Sequence, residues 1–343
     1  MGDRIVDPEE VDGDDTEQVR PVWLADFAGQ TDLKGHLDIV LQAAKMRGRP
    51  ADHMLFAGPP GLGKTTLAGI IANEMGTTIH TTSGPAIARP GDLAALLSRV
   101  NEGDVVFIDE IHRLSRHVEE VLYPAMEDFQ IDVVIGDGAD VRTLRLDLPA
   151  FTLVAATTRT GLITGPLRDR FGLVERLAFY TPGELAAIVT RTARILNVEI
   201  DVLGAAEVAR RSRGTPRIAN RLLRRVQDYA DVRGDGTITE DVAHDALAVF
   251  GVDELGLDAV DRAILEALCD KFGGGPVGLT TLAIGVSEPA ETVEEVHEPF
   301  LIKQGLLART PRGRCATDLA WTHLGLTPPA ATPPAQLALD GDD

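Results

Sequence analysis

The chain has 343 residues, of which 44% are hydrophobic and 25% are charged, and its formal net charge at pH 7 is -20. This length and composition predict two or three globular domains and exclude a disordered or fibrous chain. Its two cysteines, Cys269 and Cys315, are too few for a disulfide framework or a four-cysteine zinc site. Such a negative charge opposes nonspecific adhesion to phosphates, so any contact with DNA has to be local.

Both ends of the chain are predicted to be disordered. Residues 1–18 are rich in Asp and Glu, and residues 327–343 are rich in Pro and Ala before an acidic end. The acidic start does not resemble a secretory signal, and no apolar stretch approaches the roughly 20 residues that cross a bilayer. We therefore expect a cytoplasmic protein with no membrane contact.

Three regions lie between these ends. Residues 19–180 alternate short apolar runs with helical stretches, which predicts an α/β domain with a parallel sheet flanked by helices. Residues 181–255 have helical periodicity and no strand-like run, which predicts a small helical lid. Residues 256–326 contain three helix patterns followed by two short extended runs, the arrangement of a C-terminal winged helix.

A phosphate-binding loop is predicted where the sequence GPPGLGKT follows an apolar run and precedes a helix-prone one. Its glycines, among them Gly61 and Gly63, let the backbone wrap round an anion, so that amide hydrogens and the helix N-terminus point at the phosphates. Lys64 adds a positive charge for the terminal phosphates of ATP. The hydroxyl of Thr65 is expected to hold Mg2+, with Thr66 beside it in the first helical turn.

A second apolar run, VVFI, ends in Asp109 and Glu110. Asp109 is expected to orient Mg2+ and its waters, and Glu110 is expected to act as the base that polarises the attacking water. The next apolar run ends near Thr158, whose hydroxyl can sense the terminal phosphate because the carboxyl ends of parallel strands face one crevice. Two acids that merely cap a strand, and an ordinary strand-end threonine, are the alternatives.

These motifs, in this order, resemble those of the AAA+ ATPases. The sequence LRDRFG is similar to the arginine-finger segment of that class, which implies that Arg170 reaches the nucleotide of a neighbouring subunit and stabilises the transition state there. The sequence GTPR resembles the sensor 2 motif, which implies that Arg217 contacts the nucleotide of its own subunit. Hydrolysis would then require a ring. A surface ion pair between Arg170 and Asp169 is the alternative.

The resemblance narrows to the RuvB family over residues 19–326. The N-terminal segment RPVWLADFAGQ, a hairpin at about residues 130–147 and the sequence KFGGGPVGL in the last domain are similar to those of that family. The resemblance implies nucleotide contacts for Val19, Arg20, Gly61, Lys64, Thr65, Thr66, Glu127, Asp128, Phe129, Arg170, Tyr180 and Arg217. It implies DNA contacts for Arg309 and Arg314.

In the RuvB family the hairpin docks onto RuvA, the partner that recognises the junction. In this chain Ile131, Val133 and Ile135 alternate and are expected to form one exposed apolar face. An edge hairpin without a partner is the alternative. The resemblance also implies a homohexameric ring, two of which flank a RuvA-bound Holliday junction, and delivery of the junction to RuvC.

The predicted wing is basic although the chain is acidic. From Lys303 to Arg314 there are four basic residues and no acidic one, with Arg309, Arg312 and Arg314 near the turn. Such a wing is expected to grip the phosphates of double-stranded DNA without reading the base sequence. A basic turn that only keeps the domain soluble is the alternative.

The activity that the resemblance implies is ATP-driven branch migration of Holliday junctions in recombination and DNA repair. A clamp-loader ATPase shares the fold and the motifs but lacks the basic wing. A nucleotide-gated DNA-binding scaffold hardly turns ATP over, and Glu110 and Arg170 argue against it.

Overall fold

The computed structural model describes residues 17–135 and 142–329. Most of the two predicted tails and residues 136–141 of the predicted hairpin lie outside these ranges. The chain divides into two compact units between Gly256 and Leu257. Within the described ranges, each helix is too short or too polar to span a membrane.

The first unit is built on a parallel sheet. The strands of this unit are β1 (Met54–Ala57), β2 (Ile79–Ser83), β3 (Val105–Asp109), β4 (Gln130–Ile135), β5 (Arg142–Asp147), β6 (Thr152–Thr157), β7 (Leu173–Arg176), β8 (Glu199–Ile200) and β9 (Thr237–Ile238). The sheet has the order β2-β3-β6-β1-β7, and each neighbouring pair in it is parallel. The predicted α/β class with a parallel sheet is confirmed.

Helices pack on both faces of this sheet. The helices of the first unit are α1 (Thr31–Arg47), α2 (Lys64–Met75), α3 (Pro90–Leu97), α4 (Arg116–Glu127), α5 (Gly165–Arg168), α6 (Pro182–Leu196), α7 (Val202–Arg210), α8 (Pro216–Arg233) and α9 (Glu240–Val249). Side chains alternate along each strand, so Met54 and Phe56 belong to one core cluster and Leu55 to the other. The cluster around Phe56 extends into α6 to α9, so the helical region shares a core with the sheet.

The start of the helical region follows its sequence signal, and its interior departs from it. Thr181 caps α6 with Glu184 in a capping box, and Pro182 is the first helical residue. However, β8 and β9 pair as parallel strands, whereas the periodicity predicts helices alone. Strands of two residues are too short to produce an alternating pattern.

The second unit begins at Leu257. Its elements are α10 (Ala259–Glu266), α11 (Leu279–Gly285), α12 (Ala290–Thr292), α13 (Glu298–Lys303), β10 (Leu307–Thr310), β11 (Gly313–Ala316) and α14 (Asp318–His323). A π-helical turn at Val293–His297 joins α12 to α13. The strands β10 and β11 are antiparallel. The predicted winged helix is confirmed, and the structure adds α14 after the hairpin.

His53 lies just before β1, at the N-terminal ends of the parallel strands (the amino edge of the sheet), and hydrogen bonds hold both of its ring nitrogens. Its Nδ1 accepts a hydrogen bond from the amide of Leu153 at 2.8 Å, and its Nε2 lies 3.0 Å from the carbonyl oxygen of Met126. These partners require the neutral ring with its proton on Nε2. The ring lies 6.3 Å from that of Phe129 and 5.6 Å from that of Phe151, between centroids. Burial lowers the pKa of His53 below its ordinary value.

We expect acid to destabilise the first unit through His53. The unfolded chain protonates this ring near pH 6.5, whereas the folded state takes up the proton only at lower pH. The free energy of unfolding should therefore fall as the pH drops below about 6.5, by up to about 1.4 kcal/mol per pH unit for this proton. Urea unfolding at about pH 7.5 and about pH 5.5 measures the slope. His53→Gln cannot titrate and should have a shallower slope; equal slopes would contradict the prediction.

Candidate functional site

The phosphate loop leaves the carboxyl end of β1 and enters α2. Gly58, Gly61 and Gly63 have positive φ angles of 150°, 78° and 101°. A Cβ atom on Gly63 would lie 3.2 Å from the ring of Phe27, and one on Gly58 would lie 2.9 Å from the carbonyl oxygen of Leu177. This backbone therefore requires glycine, as a loop closed round an anion does.

Lys64 begins α2, and its ammonium group turns back into the loop. Its Nζ donates to the carbonyl oxygens of Gly58 at 2.7 Å and Pro59 at 3.0 Å, and the residue is only 7% exposed. The positive end of a 12-residue helix adds to this charge. Thr65 and Thr66 occupy the same first turn and are half-buried. The donor set fits the phosphates of a nucleotide, and the Thr65 hydroxyl fits a hard cation.

Asp109 ends β3, and Glu110 follows it with a left-handed backbone at φ 48°. This conformation is uncommon outside glycine and turns the second carboxylate out of the strand direction. Asp109 Oδ1 accepts a hydrogen bond from the amide of Glu110 at 2.9 Å. Glu110 Oε2 accepts one from Thr158 Oγ1 at 3.0 Å. The predicted base and the predicted sensor are therefore in direct contact at the ends of adjacent strands.

His112 belongs to this cluster, although no sequence motif predicted it. Its Nδ1 lies 3.1 Å from Glu110 Oε2 and 2.9 Å from Thr157 Oγ1, and its side chain is buried. The ring therefore links the Glu110 carboxylate to the end of β6. The only signal in the sequence is a titratable side chain two residues after Glu110.

The first turn of α8 and Tyr180, which lies just before the helical region, both contact the phosphate loop. The amide of Arg217, in the first turn of α8, donates to the carbonyl oxygen of Gly61 at 3.4 Å. The Tyr180 hydroxyl donates to the carbonyl oxygen of Leu62 at 3.2 Å. Burial raises the pKa of Tyr180, so the hydroxyl stays protonated and remains a donor. These contacts bring two predicted nucleotide-contacting residues to the loop.

The N-terminal segment lies on the same side. Val19 is buried near α6, where Arg191 Nη1 donates to its carbonyl oxygen at 2.7 Å. Arg20 follows it and is half-buried. Further along this segment, Phe27 packs beside Gly63 of the phosphate loop. This segment, which carries the predicted nucleotide contacts Val19 and Arg20, thus runs from the lid helices to the loop.

Four predicted nucleotide contacts lie at the opposite edge of the sheet. Glu127 ends α4 and residues 128–129 follow it near the N-terminal end of β1, where the Phe129 ring meets that of His53. Arg170 precedes β7, and Gly172 between them donates to the carbonyl oxygen of His53 at 2.9 Å. The phosphate loop leaves the other end of β1, a strand of four residues. A strand rises about 3.3 Å per residue. The length of β1 therefore places these groups on the order of 10 Å or more from the phosphates of a nucleotide bound in the loop of the same chain.

The hairpin forms as predicted in pairing but not in exposure. β4 and β5 are antiparallel, with Ile131 opposite Leu146 on one face. Ile131 is 1% exposed and packs in the core with α4, so the expectation that it is exposed is wrong. The base of the apolar face is covered, and Leu146 and Leu144 further out are 38% and 47% exposed. The side chains of Val133 and Ile135 lie outside the described part of the chain.

The wing is less basic at its surface than its sequence predicts. Arg314 is 8% exposed, and its guanidinium forms two hydrogen bonds with Glu298. Arg309 Nη2 lies 3.1 Å from Glu294 Oε1, and its side chain is exposed. The segment itself has no acid, but the preceding helices bring these two glutamates to the strands. Arg312 lies in the turn and is exposed.

Three family models match the chain in consecutive parts. They are described as the Holliday junction DNA helicase RuvB P-loop domain over residues 19–177, the RuvB AAA lid domain over residues 180–253 and the RuvB C-terminal winged helix domain over residues 254–325. The chain belongs to the RuvB family. The resemblance seen in the sequence motifs is thereby confirmed, and with it the AAA+ fold with a lid and a winged helix.

RuvB proteins resemble this chain over nearly its whole length. The Holliday junction branch migration complex subunit RuvB of a Nocardioides species is 60% identical over 329 residues, which cover 95% of this chain and 91% of the relative. That of Mycobacterium ulcerans is 60% identical over 319 residues, with coverage of 93% and 92%. The solved structure of the Thermotoga maritima RuvB Holliday junction branch migration motor has a TM-score of 0.85 at 49% identity and covers 91% of this chain and 100% of that one.

We expect Gly63→Ala to weaken nucleotide binding by about ten-fold or more, because a left-handed backbone costs a non-glycine residue roughly 1–2 kcal/mol. The added Cβ also meets the Phe27 ring. Titration with a fluorescent ATP analogue measures the affinity. Gly69→Ala is the matched control, since a Cβ at that position of α2 meets no described atom within 4 Å. It should leave the affinity unchanged and stabilise the helix by about 0.5–1 kcal/mol. Equal losses in both variants would contradict the prediction.

Proposed function

We propose that this chain is an ATP-driven motor that promotes branch migration of Holliday junctions. Its RuvB relatives, at about 60% identity, are named as subunits of the Holliday junction branch migration complex. One observation in the chain carries the proposal: Arg170 lies at the amino edge of the sheet, and the loop that holds Lys64 lies at the carboxyl edge. An arginine placed there can serve only the triphosphate pocket of a neighbour.

The chain's own residues support ATP hydrolysis in such a pocket. Bound Mg2+ would neutralise phosphate charge, with Thr65 as a direct ligand and Asp109 holding it through water. Lys64 binds the terminal phosphates. Glu110 polarises the attacking water, and its contacts with Thr158 and His112 hold the carboxylate in place.

The second half of the pocket comes from a neighbouring protomer. Arg170 supplies the charge that stabilises the transition state, and Glu127 lies beside it. Arg217, in the first turn of α8, connects the nucleotide of its own protomer to the lid helices. A pocket divided in this way requires a closed assembly, for which we propose a homohexameric ring.

The assembly also needs partners. We propose that RuvA docks on the β4–β5 hairpin, where Leu144 and Leu146 present an exposed apolar surface. RuvC would receive the migrated junction. Because the substrate is cellular DNA, we propose that the protein acts in the cytoplasm.

Conversion of synthetic four-way junctions into two duplexes by the purified chain with ATP, Mg2+ and RuvA tests the function. We expect conversion by the natural chain, and in Glu110→Gln a loss of ATP hydrolysis by about 100-fold or more, with no conversion. Glu120→Gln alters an exposed acid on α4 and should behave as the natural chain. Active hydrolysis without conversion would favour a clamp loader, and undiminished conversion by Glu110→Gln would favour a nucleotide-gated scaffold.

We propose that the wing contacts DNA phosphates, and we expect its arginines to differ. Arg312→Ala should weaken duplex binding and leave the thermal stability unchanged. It should also reduce by about one the slope of the logarithm of affinity against the logarithm of salt concentration. Arg314→Ala leaves the buried Glu298 with only Arg309, whose Nη1 lies 4.0 Å away, and should destabilise the second unit by about 3 kcal/mol. Duplex titrations at two salt concentrations and thermal unfolding distinguish them. Equal salt slopes and equal stabilities in the two variants would contradict the assignment.

A further inference from the structure

One face of α4 lies against the segment that carries Arg170. Glu119, Tyr123 and Glu127 follow one another at four-residue spacing, which places them on one side of the helix. Each of them contacts a residue between Thr164 and Arg170. The face and the segment thus meet along two helical turns.

Arg170 is held by three neighbours of different kinds. Its Cζ lies 4.3 Å from the centroid of the Tyr123 ring, within the range of a cation–π interaction. Its Nη1 donates to the carbonyl oxygen of Pro166 at 2.6 Å. Its Nη2 lies 3.1 Å from Glu127 Oε1, and the Arg170 side chain is 21% exposed. Two of the three neighbours carry no net charge.

The Tyr123 ring is itself fixed. Its hydroxyl donates to Glu119 Oε2 at 3.0 Å, and Thr164 Oγ1 donates to the same oxygen at 2.9 Å. Glu119 is buried, so this acceptor is shielded from competing water. Desolvation, together with Glu119, raises the pKa of Tyr123, so the hydroxyl remains a donor. Thr164 also caps the helix that leads to Arg170, which joins the ring to the segment it supports.

The contact of Arg170 with Glu127 is charged, whereas its contacts with Tyr123 and Pro166 are neutral. These two kinds of contact affect the binding of a phosphate by Arg170 differently. The Glu127 side chain is 53% exposed, and exposed ion pairs contribute little and are screened by salt. A triphosphate can replace this carboxylate. The ring and the carbonyl group, in contrast, orient the guanidinium without neutralising its charge, and they reduce the rotamer freedom that a long side chain loses on binding.

We propose that Tyr123, anchored by Glu119 and Thr164, is a positioning residue that holds Arg170 ready for the ATP of the neighbouring protomer. This inference rests on the proposed function, because it requires Arg170 to act in a neighbour's pocket. Tyr123 itself touches no nucleotide and acts through Arg170 alone. Its loss should therefore lower kcat for ATP hydrolysis and leave KM for ATP nearly unchanged.

The first measurement is ATP hydrolysis by the full chain with duplex DNA. Tyr123→Leu should lower kcat by about ten-fold, whereas Tyr123→Phe, which keeps the ring, should retain most of it. The chain offers a matched control in Tyr229, whose ring stacks with Arg233 on α8 at 5.5 Å. Tyr229→Leu should leave kcat within about two-fold of the natural value. Equal losses in Tyr123→Leu and Tyr123→Phe, or a raised KM without a lower kcat, would overturn the proposal.

Mixed assemblies test the proposed function and the role of Tyr123 separately. Lys64→Ala and Arg170→Ala chains, each inactive alone, should recover hydrolysis when mixed, and failure here would overturn the proposed function. Tyr123→Leu chains mixed with Lys64→Ala chains receive an intact Arg170 from their neighbours, so their rate should rise several-fold. Mixed with Arg170→Ala chains, they should not recover.

The mixtures that recover ATP hydrolysis show whether Tyr123 has the positioning role. If the Lys64→Ala and Arg170→Ala mixture recovers but the Tyr123→Leu and Lys64→Ala mixture does not, Tyr123 acts within its own protomer and the positioning role is wrong. Binding of a fluorescent ATP analogue by Tyr123→Leu alone tests the same role of Tyr123 without a measurement of turnover. Unchanged affinity supports a role confined to the neighbour's pocket, and a large loss of affinity would overturn it.

Discussion

The direction of the strands in the parallel sheet governs where each nucleotide-handling group of this chain can act. Groups that follow a strand collect at the carboxyl edge, and groups that precede one collect at the amino edge. Lys64 and Glu110 follow β1 and β3, whereas Arg170 precedes β7. One chain therefore carries these groups at opposite ends of the strands of a single sheet. Under the proposed function, repetition of the chain around a ring is what joins them.

Three cations of this chain have different neighbours. Lys64 is buried, and its ammonium group donates to two backbone carbonyl groups. Arg314 is similarly buried but paired with Glu298, so removing either partner leaves a buried charge. Arg170 lies between these cases, with a neutral aromatic ring on one side and an exposed carboxylate on the other.

Adjacent strands bring together groups that are distant in the chain. Glu110 and Thr158 directly follow the neighbouring strands β3 and β6, and their side chains meet at 3.0 Å. His112 adds a buried ring that touches Glu110 and the last residue of β6. Under the proposed function, the predicted sensor and the predicted base are therefore in direct contact. The uncommon left-handed backbone of Glu110 is part of the same arrangement, because it turns the carboxylate toward these partners.

The sequence by itself determined the parallel α/β fold, the phosphate loop and the pair Asp109 and Glu110, because a strand, a tight turn and a helix start are made by neighbouring residues. Only the tertiary structure decided that Ile131 is covered, that Glu298 holds Arg314 and that Tyr123 supports Arg170. Periodicity reports that one face of an element is apolar, and composition reports that a segment is basic. Neither identifies what packs against it, because that partner comes from elsewhere in the chain and is brought there by the fold.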